Sequence, residues 1–223
     1  MSHNFLIIMP EITKGMKSIG SKALLKINNK QTILEYQIRS IKRLNNKNKI
    51  FLATGFQHSK IQKIANGYKN VFAIFEPDYT KYNETKHIIN FTEYVDHYDD
   101  LFIINSGILF RNNCFKGVKK NTSKIFLLDK CKDNFIIGCN NPNNTNYLFY
   151  DLPNRWSECI FMTKDIIQQI VTVNKQQKIH NHFLFETINQ ISEIQQIQPV
   201  IISHRDIMKV STTSDLIKAK RFV

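Results

Sequence analysis

The segment with the clearest chemical character runs from Ser21 to Ile38 and reads SKALLKINNKQTILEYQI. It follows an apolar stretch, Phe5 to Met9, after a short loop. Lys22 stands in that loop, and an apolar step, a turn and a helix carrying Glu35 come after it. This order is typical of the start of an α/β domain that handles nucleotides. The segment therefore predicts a nucleotide-handling site near Lys22.

The same segment resembles the PKALLPV…PILEYQL stretch of sugar-phosphate nucleotidyltransferases. In that family the preceding loop reads G-x-G-x-R; its glycines let backbone amides approach the nucleotide phosphates, and its Arg and the later Lys neutralise charge. The resemblance implies nucleotide-binding roles for Thr13, Gly15, Lys17 and Lys22, of which Lys17 and Lys22 would be the catalytic cations. Thr13 replaces the first glycine, and a β-branched residue resists positive φ, so we expect a reshaped phosphate loop.

In the family, a carboxylate in a G-D-x-x-F pattern at the end of a central strand holds the Mg²⁺ that bridges the nucleotide phosphates. The stretch FIINSGILF aligns with this pattern, and Gly107 stands at the position of the family's Asp. A second family Asp belongs to I-D-T-x-x-D-L-x-x-A, where VSTTSDLIKA carries Ser211 instead. Neither residue offers the carboxylate oxygen that Mg²⁺ prefers. Magnesium is thus the expected cofactor of an active form only, with Asp78, behind the third strand, as a candidate substitute ligand.

The resemblance also implies residues around the two substrates. Asn83, in YNETKHI, resembles the family's Asn ahead of the third helix and is assigned to both the nucleotide and the acceptor. Glu158, in WSE, and Glu186, in LFETIN, resemble further family landmarks and are assigned to the acceptor site. Gly55, after the second strand, joins the nucleotide-binding set. The implied reaction is attack of a substrate phosphate on the α-phosphorus of a nucleoside triphosphate, with release of pyrophosphate.

Other reactive residue types show no catalytic spacing. The four cysteines lack a C-x-x-C pair and a histidine at zinc-finger spacing, so we expect free thiols in a reducing compartment. His180 and His182 have no evident third ligand and are expected at the surface. Trp156, the only tryptophan, is expected in the core. No Ser-His-Asp or Cys-His set stands at a recognisable spacing.

Strands and helices alternate through the first half of the chain. Apolar runs at Phe5 to Met9, Ile50 to Ala53, Val71 to Phe75 and Leu101 to Ile104 predict four strands separated by three helices. The first helix opens with a capping box, T-I-L-E, at Thr32. Parallel neighbours need crossovers that are usually helical, so this order predicts a mostly parallel sheet covered on both faces. Ligands of such sheets bind beyond the carboxyl ends of the strands.

The remaining elements are less regular. The second helix is expected to have its cap at Ser59 and its end at Gly67. Apolar runs in the second half predict strands at 125–128, 135–138, 147–150 and 156–162, and helices near 163–173 and 182–194.

Composition narrows the class of protein. The net charge of +13 and the pI near 9.6 favour binding to a polyanionic partner, and a nucleic acid is one such partner that the sequence leaves open. The basic residues are scattered, however, and an AT-rich coding bias, compatible with a viral genome, can supply many lysines. No window approaches the roughly 20 apolar residues of a membrane span, and the first apolar run, of about five, is too short for a signal-peptide core. We therefore expect a soluble, cytoplasmic protein with no membrane partner.

Together these patterns predict an α/β protein with a Rossmann-like, mostly parallel sheet flanked by helices, of the nucleotide-diphospho-sugar transferase (GT-A) type. We expect one domain, 1–223, with a nucleotide-binding half at 1–110 and an acceptor half at 111–223. The implied function is transfer of a nucleotidyl group from a nucleoside triphosphate to a sugar phosphate or similar phosphorylated substrate. Two alternatives stand beside it: a catalytically inactive relative with a binding, regulatory or structural role, and a GT-A glycosyltransferase.

Overall fold

The computed structural model describes residues 2–9, 20–115, 118, 121–130, 135–143 and 147–223. The strands within these residues are β1 (Asn4–Met9), β2 (Lys26–Asn28), β3 (Gln31–Thr32), β4 (Lys49–Thr54), β5 (Val71–Phe75), β6 (Leu101–Asn105), β7 (Ile108–Phe110), β8 (Lys124–Leu128), β9 (Ile137–Cys139), β10 (Phe149–Tyr150), β11 (Asn154–Met162), β12 (Gln198–Ile202) and β13 (Ile207–Lys209). The helices are α1 (Ile33–Leu44), α2 (His58–Ala65), α3 (Glu84–Tyr94), α4 (Lys164–Gln177), α5 (Leu184–Ser192) and α6 (Thr213–Phe222).

The main sheet has a parallel part and a mixed part. In the parallel part the order is β5-β4-β1-β6. Next to β6 lies β11, antiparallel to it, and β11 also pairs with β8 and β9. The chain runs outward from β1 to β5 and then returns to place β6 on the other side of β1. The predicted α/β, Rossmann-like architecture is confirmed, and the carboxyl ends of β1 and β6 form its topological switch point.

Helices cover both faces of this sheet, as the alternation of strands and helices predicts. Side chains of β1 alternate between the faces, and those of Phe5, Leu6, Ile7 and Ile8 are at most 3% exposed. Phe5 and Ile7 pack in one apolar cluster with α1 and α2. Leu6 and Ile8 pack in another with α3, α4 and α5. Burial on two sides explains why these strands read as continuous apolar runs.

Helix α1 begins as its capping box predicts. Thr32 Oγ1 accepts a hydrogen bond from the Glu35 backbone N–H at 3.2 Å, and the Thr32 N–H donates to Glu35 Oε2 at 2.7 Å. This exchange satisfies two amides that a helix start leaves without partners.

The predicted cap of the second helix at Ser59 is wrong. Helix α2 begins at His58, and the residue before it, Gln57, has left-handed backbone geometry with φ of 58°. The Gln57 side chain accepts a hydrogen bond from the Ser21 N–H at 3.0 Å. Ser59 therefore lies inside the helix, and the residue that precedes the helix makes a long-range contact instead of a side-chain cap.

Several boundaries in the second half differ from the predicted ones. The strands expected at 135–138 and 147–150 shorten to β9 and β10, whereas β11 is longer than expected. The three described cysteines, Cys114, Cys139 and Cys159, are free and buried, and Cys131 lies outside the described residues. In the part of the chain described, no helix combines the length and the apolar character that a membrane crossing requires.

Candidate functional site

A cavity of about 580 Å³ opens at the carboxyl ends of β1 and β6. Its lining includes Met9 from β1, and Asn105 and Gly107 from the end of β6 and the turn that follows. The later part of the chain contributes β11, the start of α5 and the segment after β13. The volume lies within the range of small-molecule sites. The cavity thus occupies the edge of the sheet at which the sequence predicts a ligand.

Lys22 lies against Gly107 in this cavity. A β-carbon built on Gly107 would stand 2.8 Å from Lys22 Cδ and 3.2 Å from Lys22 Nζ. It would also stand 2.9 Å from the backbone oxygen of Val210, whereas ordinary contacts begin near 3.4 Å. The ammonium group of Lys22 therefore occupies space that a side chain at 107 would need.

The two positions that align with the family's metal ligands come together here. The Val210 N–H donates to the Gly107 carbonyl at 2.8 Å, and both Gly107 and Ser211 line the cavity. The nearby carboxylate of Asp215 is 4% exposed, and its Oδ2 accepts hydrogen bonds from the Ser211 N–H, the Thr212 N–H and the Thr212 hydroxyl, each at 3.0 Å. Asp215 is thereby engaged at the start of α6.

This donor set does not fit Mg²⁺. A glycine and a serine hydroxyl occupy the two positions that align with the family's carboxylates, and the ammonium of Lys22 lies beside them. Among the residues that the structure describes, no three His, Cys, Asp or Glu side chains are grouped so that they could hold a metal ion.

Glu158 projects into the cavity from an irregular point of β11. Its φ is 59°, in the left-handed region, and the pairing of β11 with β8 shifts register between Trp156 and Ile160. Non-glycine residues held in this region are uncommon and cluster at functional sites. Glu158 Oε1 pairs with Lys209 Nζ, and Oε2 accepts a hydrogen bond from Asn105 Nδ2 at 3.1 Å. The Glu158 and Lys209 side chains are 11% and 17% exposed.

Lys209 is a cavity residue that sequence reasoning missed. It belongs to β13, which pairs with β7 directly after Gly107. Its position two residues before Ser211 is the signal that could have suggested it, because neighbours of a family landmark share its edge of the sheet. Lys209 Nζ also lies 6.0 Å from the centre of the Phe135 ring.

The remaining predicted site residues divide into those inside and those outside the cavity. Asn83 lines it at the start of α3, and its Nδ2 donates to the Asn181 carbonyl. Within the described residues, the cavity lining does not include Gly55, Asp78 or Glu186.

Each of these three residues makes a contact that accounts for it outside the cavity. A β-carbon at Gly55 would lie 2.2 Å from Tyr79 Cγ, so this glycine makes room for a tyrosine ring. Asp78 pairs with exposed Lys81 at 2.6 Å. Glu186 accepts a hydrogen bond from the backbone N–H of Phe183 at 2.8 Å, which satisfies an amide at the start of α5.

The predicted phosphate loop lies outside the described residues. Thr13, Gly15 and Lys17 therefore stay predictions. Met9 before them and Lys22 after them both line the cavity.

Among the described residues, five aromatic side chains line the cavity, a feature that sequence reasoning missed. They are those of Tyr82, Tyr150, Trp156, Phe183 and Phe185. Tyr150 meets Phe185 edge to face at 5.4 Å, and Phe183 stacks on Phe185 at 6.0 Å. Tyr150 and Phe183 are 41% and 39% exposed, which leaves aromatic surface for a ligand to cover. Trp156 is 3% exposed, which agrees with its predicted place in the core.

Helix α3, which begins after Asn83, also carries a buried histidine. His87 is 1% exposed, and burial lowers its pKa to about 4 against an opposing effect of the Glu76 carboxylate. The imidazole is therefore neutral at pH 7.

No protein-family model matches the sequence, and the comparison with curated proteins gives no match. Solved structures do match. The CTP:phosphocholine cytidylyltransferase of Streptococcus pneumoniae is 14% identical with a TM-score of 0.75, over 99% of both chains. The inositol-1-phosphate CTP transferase of T. maritima is 11% identical with a TM-score of 0.76, over 99% of this chain and 96% of the other.

A nucleoside-diphosphate-sugar pyrophosphorylase of Vibrio cholerae is 10% identical with a TM-score of 0.76, over 97% of this chain and 99% of the other. The identities are low, whereas the coverage is nearly complete in all three cases. The resemblance noted in the sequence thus extends to the architecture of the whole chain. This protein has the fold of the nucleotidyltransferases.

Proposed function

We propose that this chain binds a nucleoside triphosphate and a small phosphorylated substrate in the cavity, and transfers the nucleotidyl group between them. The observation that supports this most is the place of Lys22, whose ammonium lies against Gly107 at the carboxyl end of β6. A lysine at the ligand edge of an α/β sheet is suited to phosphate oxygens, because ammonium groups bind phosphate as compact charges. The activities named for the three structural neighbours support a nucleotide as the ligand.

In the proposed reaction, an oxygen of the acceptor phosphate attacks the α-phosphorus of the nucleotide. A new P–O bond forms, the bond to the β-phosphate oxygen breaks, and pyrophosphate leaves. Such transfers depend chiefly on positioning and on neutralising charge. Lys22 would bind triphosphate oxygens, and Asn83 and Glu158 would border the acceptor.

The acceptor that the lining favours carries a methylated or cationic head group. Aromatic faces attract cations through their quadrupole, and choline is recognised in this way elsewhere. Glu84 adds a carboxylate to the lining, at the place where its Oε2 accepts a hydrogen bond from the Leu184 N–H at 3.3 Å. Phosphocholine, named for one structural neighbour, has such a head group. We therefore expect it to be a better acceptor than a hexose phosphate.

A second candidate function is nucleotide binding without turnover. Gly107 and Ser211 favour it, because neither supplies a carboxylate for a metal ion. A bound metal usually stabilises charge in the transition state, and its loss removes a principal source of catalysis.

A pyrophosphate-release assay tests the proposal. Purified protein is incubated with CTP, UTP, GTP, ATP or dTTP and with phosphocholine or glucose 1-phosphate, with and without Mg²⁺. We expect pyrophosphate and the nucleotidylated acceptor in equal amounts for one pair, lost in Lys22→Ala and kept in Lys60→Ala, an exposed lysine of α2. Nucleotide binding without release would assign the second candidate. Absence of binding to all five nucleotides would reject both.

A further inference from the structure

We propose that the ammonium group of Lys22 takes the place of a divalent metal ion at the triphosphate site, so that this chain binds its nucleotide as the free anion. This inference rests on the proposed function and specifies the form in which the nucleotide binds. Its basis is the arrangement of Gly107, Lys22 and the segment from Val210 to Ser211.

A carboxylate side chain at position 107 would require both the Lys22 side chain and the Val210 carbonyl to move. The Lys22 side chain and the Val210 carbonyl both lie within 3.0 Å of the place that a β-carbon would take. The lysine is flexible, but the carbonyl is held: Val210 is 0% exposed, and its N–H donates to the Gly107 carbonyl at 2.8 Å. In this chain the Lys22 side chain therefore lies where a side chain at 107 would have to pass.

The other carboxylates near the site, among the residues that the structure describes, are engaged in protein contacts. Asp215 accepts three hydrogen bonds from the Ser211–Thr212 segment. Glu158 pairs with Lys209, so a metal ion at Glu158 would have to displace an ammonium. Glu84 accepts a hydrogen bond from the start of α5. Within the described residues, the positive charge that the cavity offers a phosphate comes from lysines.

An ammonium group and a magnesium ion bind the same phosphate oxygens. Lysine brings three donors and one positive charge, which suit a triphosphate that has kept its full negative charge. Magnesium bound to the nucleotide would cover those oxygens and bring a second cation towards Lys22. Excess Mg²⁺ should therefore weaken binding, because it lowers the fraction of nucleotide in the competent form. A site that uses a metal ion shows the opposite dependence.

Isothermal titration of the full chain with the five nucleoside triphosphates, in EDTA and in excess MgCl₂ at matched ionic strength, tests the inference. We expect the tightest nucleotide to bind at least about threefold more tightly in EDTA. Lys22→Met, which keeps the length of the side chain and removes its charge, should weaken that binding by about tenfold or more. Lys60→Met, at an exposed position of α2, should leave it unchanged.

The outcomes separate this inference from the proposed function. Binding by the unmodified chain that requires Mg²⁺ overturns the inference and leaves the proposed function standing. Absence of binding in both buffers overturns the proposed function as well. This comparison needs no variant, so it decides the matter even if Lys22→Met does not fold.

Discussion

Alanine at position 107 is expected to lower the free energy of unfolding by about 2 kcal/mol, because overpacking a filled site costs about 1–3 kcal/mol. The added methyl group would lie 2.8 Å from Lys22 Cδ and 2.9 Å from the Val210 oxygen, about half an ångström inside the 3.4 Å at which ordinary contacts begin. The lysine can move aside, but the carbonyl is held by the buried Val210 backbone. Most of the cost should therefore come from the carbonyl.

Urea and thermal unfolding measure this cost. For a chain of this length, 2 kcal/mol corresponds to a fall in Tm of about 4–8 °C. Gly67→Ala is the matched control, because a β-carbon there meets only the Ile64 oxygen, at 3.2 Å, and the residue is exposed. We expect that control to stay within about 0.5 kcal/mol of the unmodified chain.

A double variant separates the two contacts. Lys22→Ala combined with Gly107→Ala relieves the lysine contact alone, so it should recover only part of the loss. If Gly107→Ala unfolds within about 0.5 kcal/mol of the unmodified chain, the close packing of Lys22 and Val210 on Gly107 is refuted.

Three further predictions concern stability. Between pH 6.5 and pH 4, His87 binds a proton in the unfolded state but stays neutral in the folded state. The free energy of unfolding should therefore fall by about 3 kcal/mol as the pH drops through that window. Urea titrations of His87→Leu should lack this loss. Glu158→Gln removes the negative charge beside Lys209 and should cost about 2 kcal/mol, since both side chains are under one-fifth exposed; an unchanged urea midpoint would contradict the pairing. Thr212→Ala removes the cap of α6 and should cost about 1 kcal/mol in the same measurement, whereas a loss near zero would mean that the cap is dispensable.

The parallel half of the fold was predictable because local patterns determine it. The capping box at Thr32 begins α1, and the run Val71–Phe75 is β5 to the residue. Burial on both faces makes such strands continuous apolar runs, which a single sequence reveals. The resemblance to a known family also assigned Gly107 and Ser211 to a single site, and both residues line the cavity.

Elements and contacts that depend on distant partners could not be predicted in this way. Strand β13 has three residues and exists through its pairing with β7. The pair formed by Glu158 and Lys209 joins residues 51 positions apart, and the contact of Lys22 with Gly107 likewise joins distant parts of the chain. No local periodicity encodes these contacts. The cap predicted at Ser59 was wrong because α2 begins one residue earlier, after the left-handed Gln57.

A crystal structure of the protein with a CTP analogue whose α,β-bridging oxygen is replaced by methylene would show whether the nucleotide binds at Lys22 without a metal ion. The crystals should be grown once in EDTA and once in MgCl₂. We expect the triphosphate in the cavity at the ends of β1 and β6, with phosphate oxygens within hydrogen-bond distance of Lys22 Nζ and no metal ion between them. A nucleotide bound elsewhere on the chain, or a magnesium ion coordinated at the phosphates by protein side chains, would contradict this expectation.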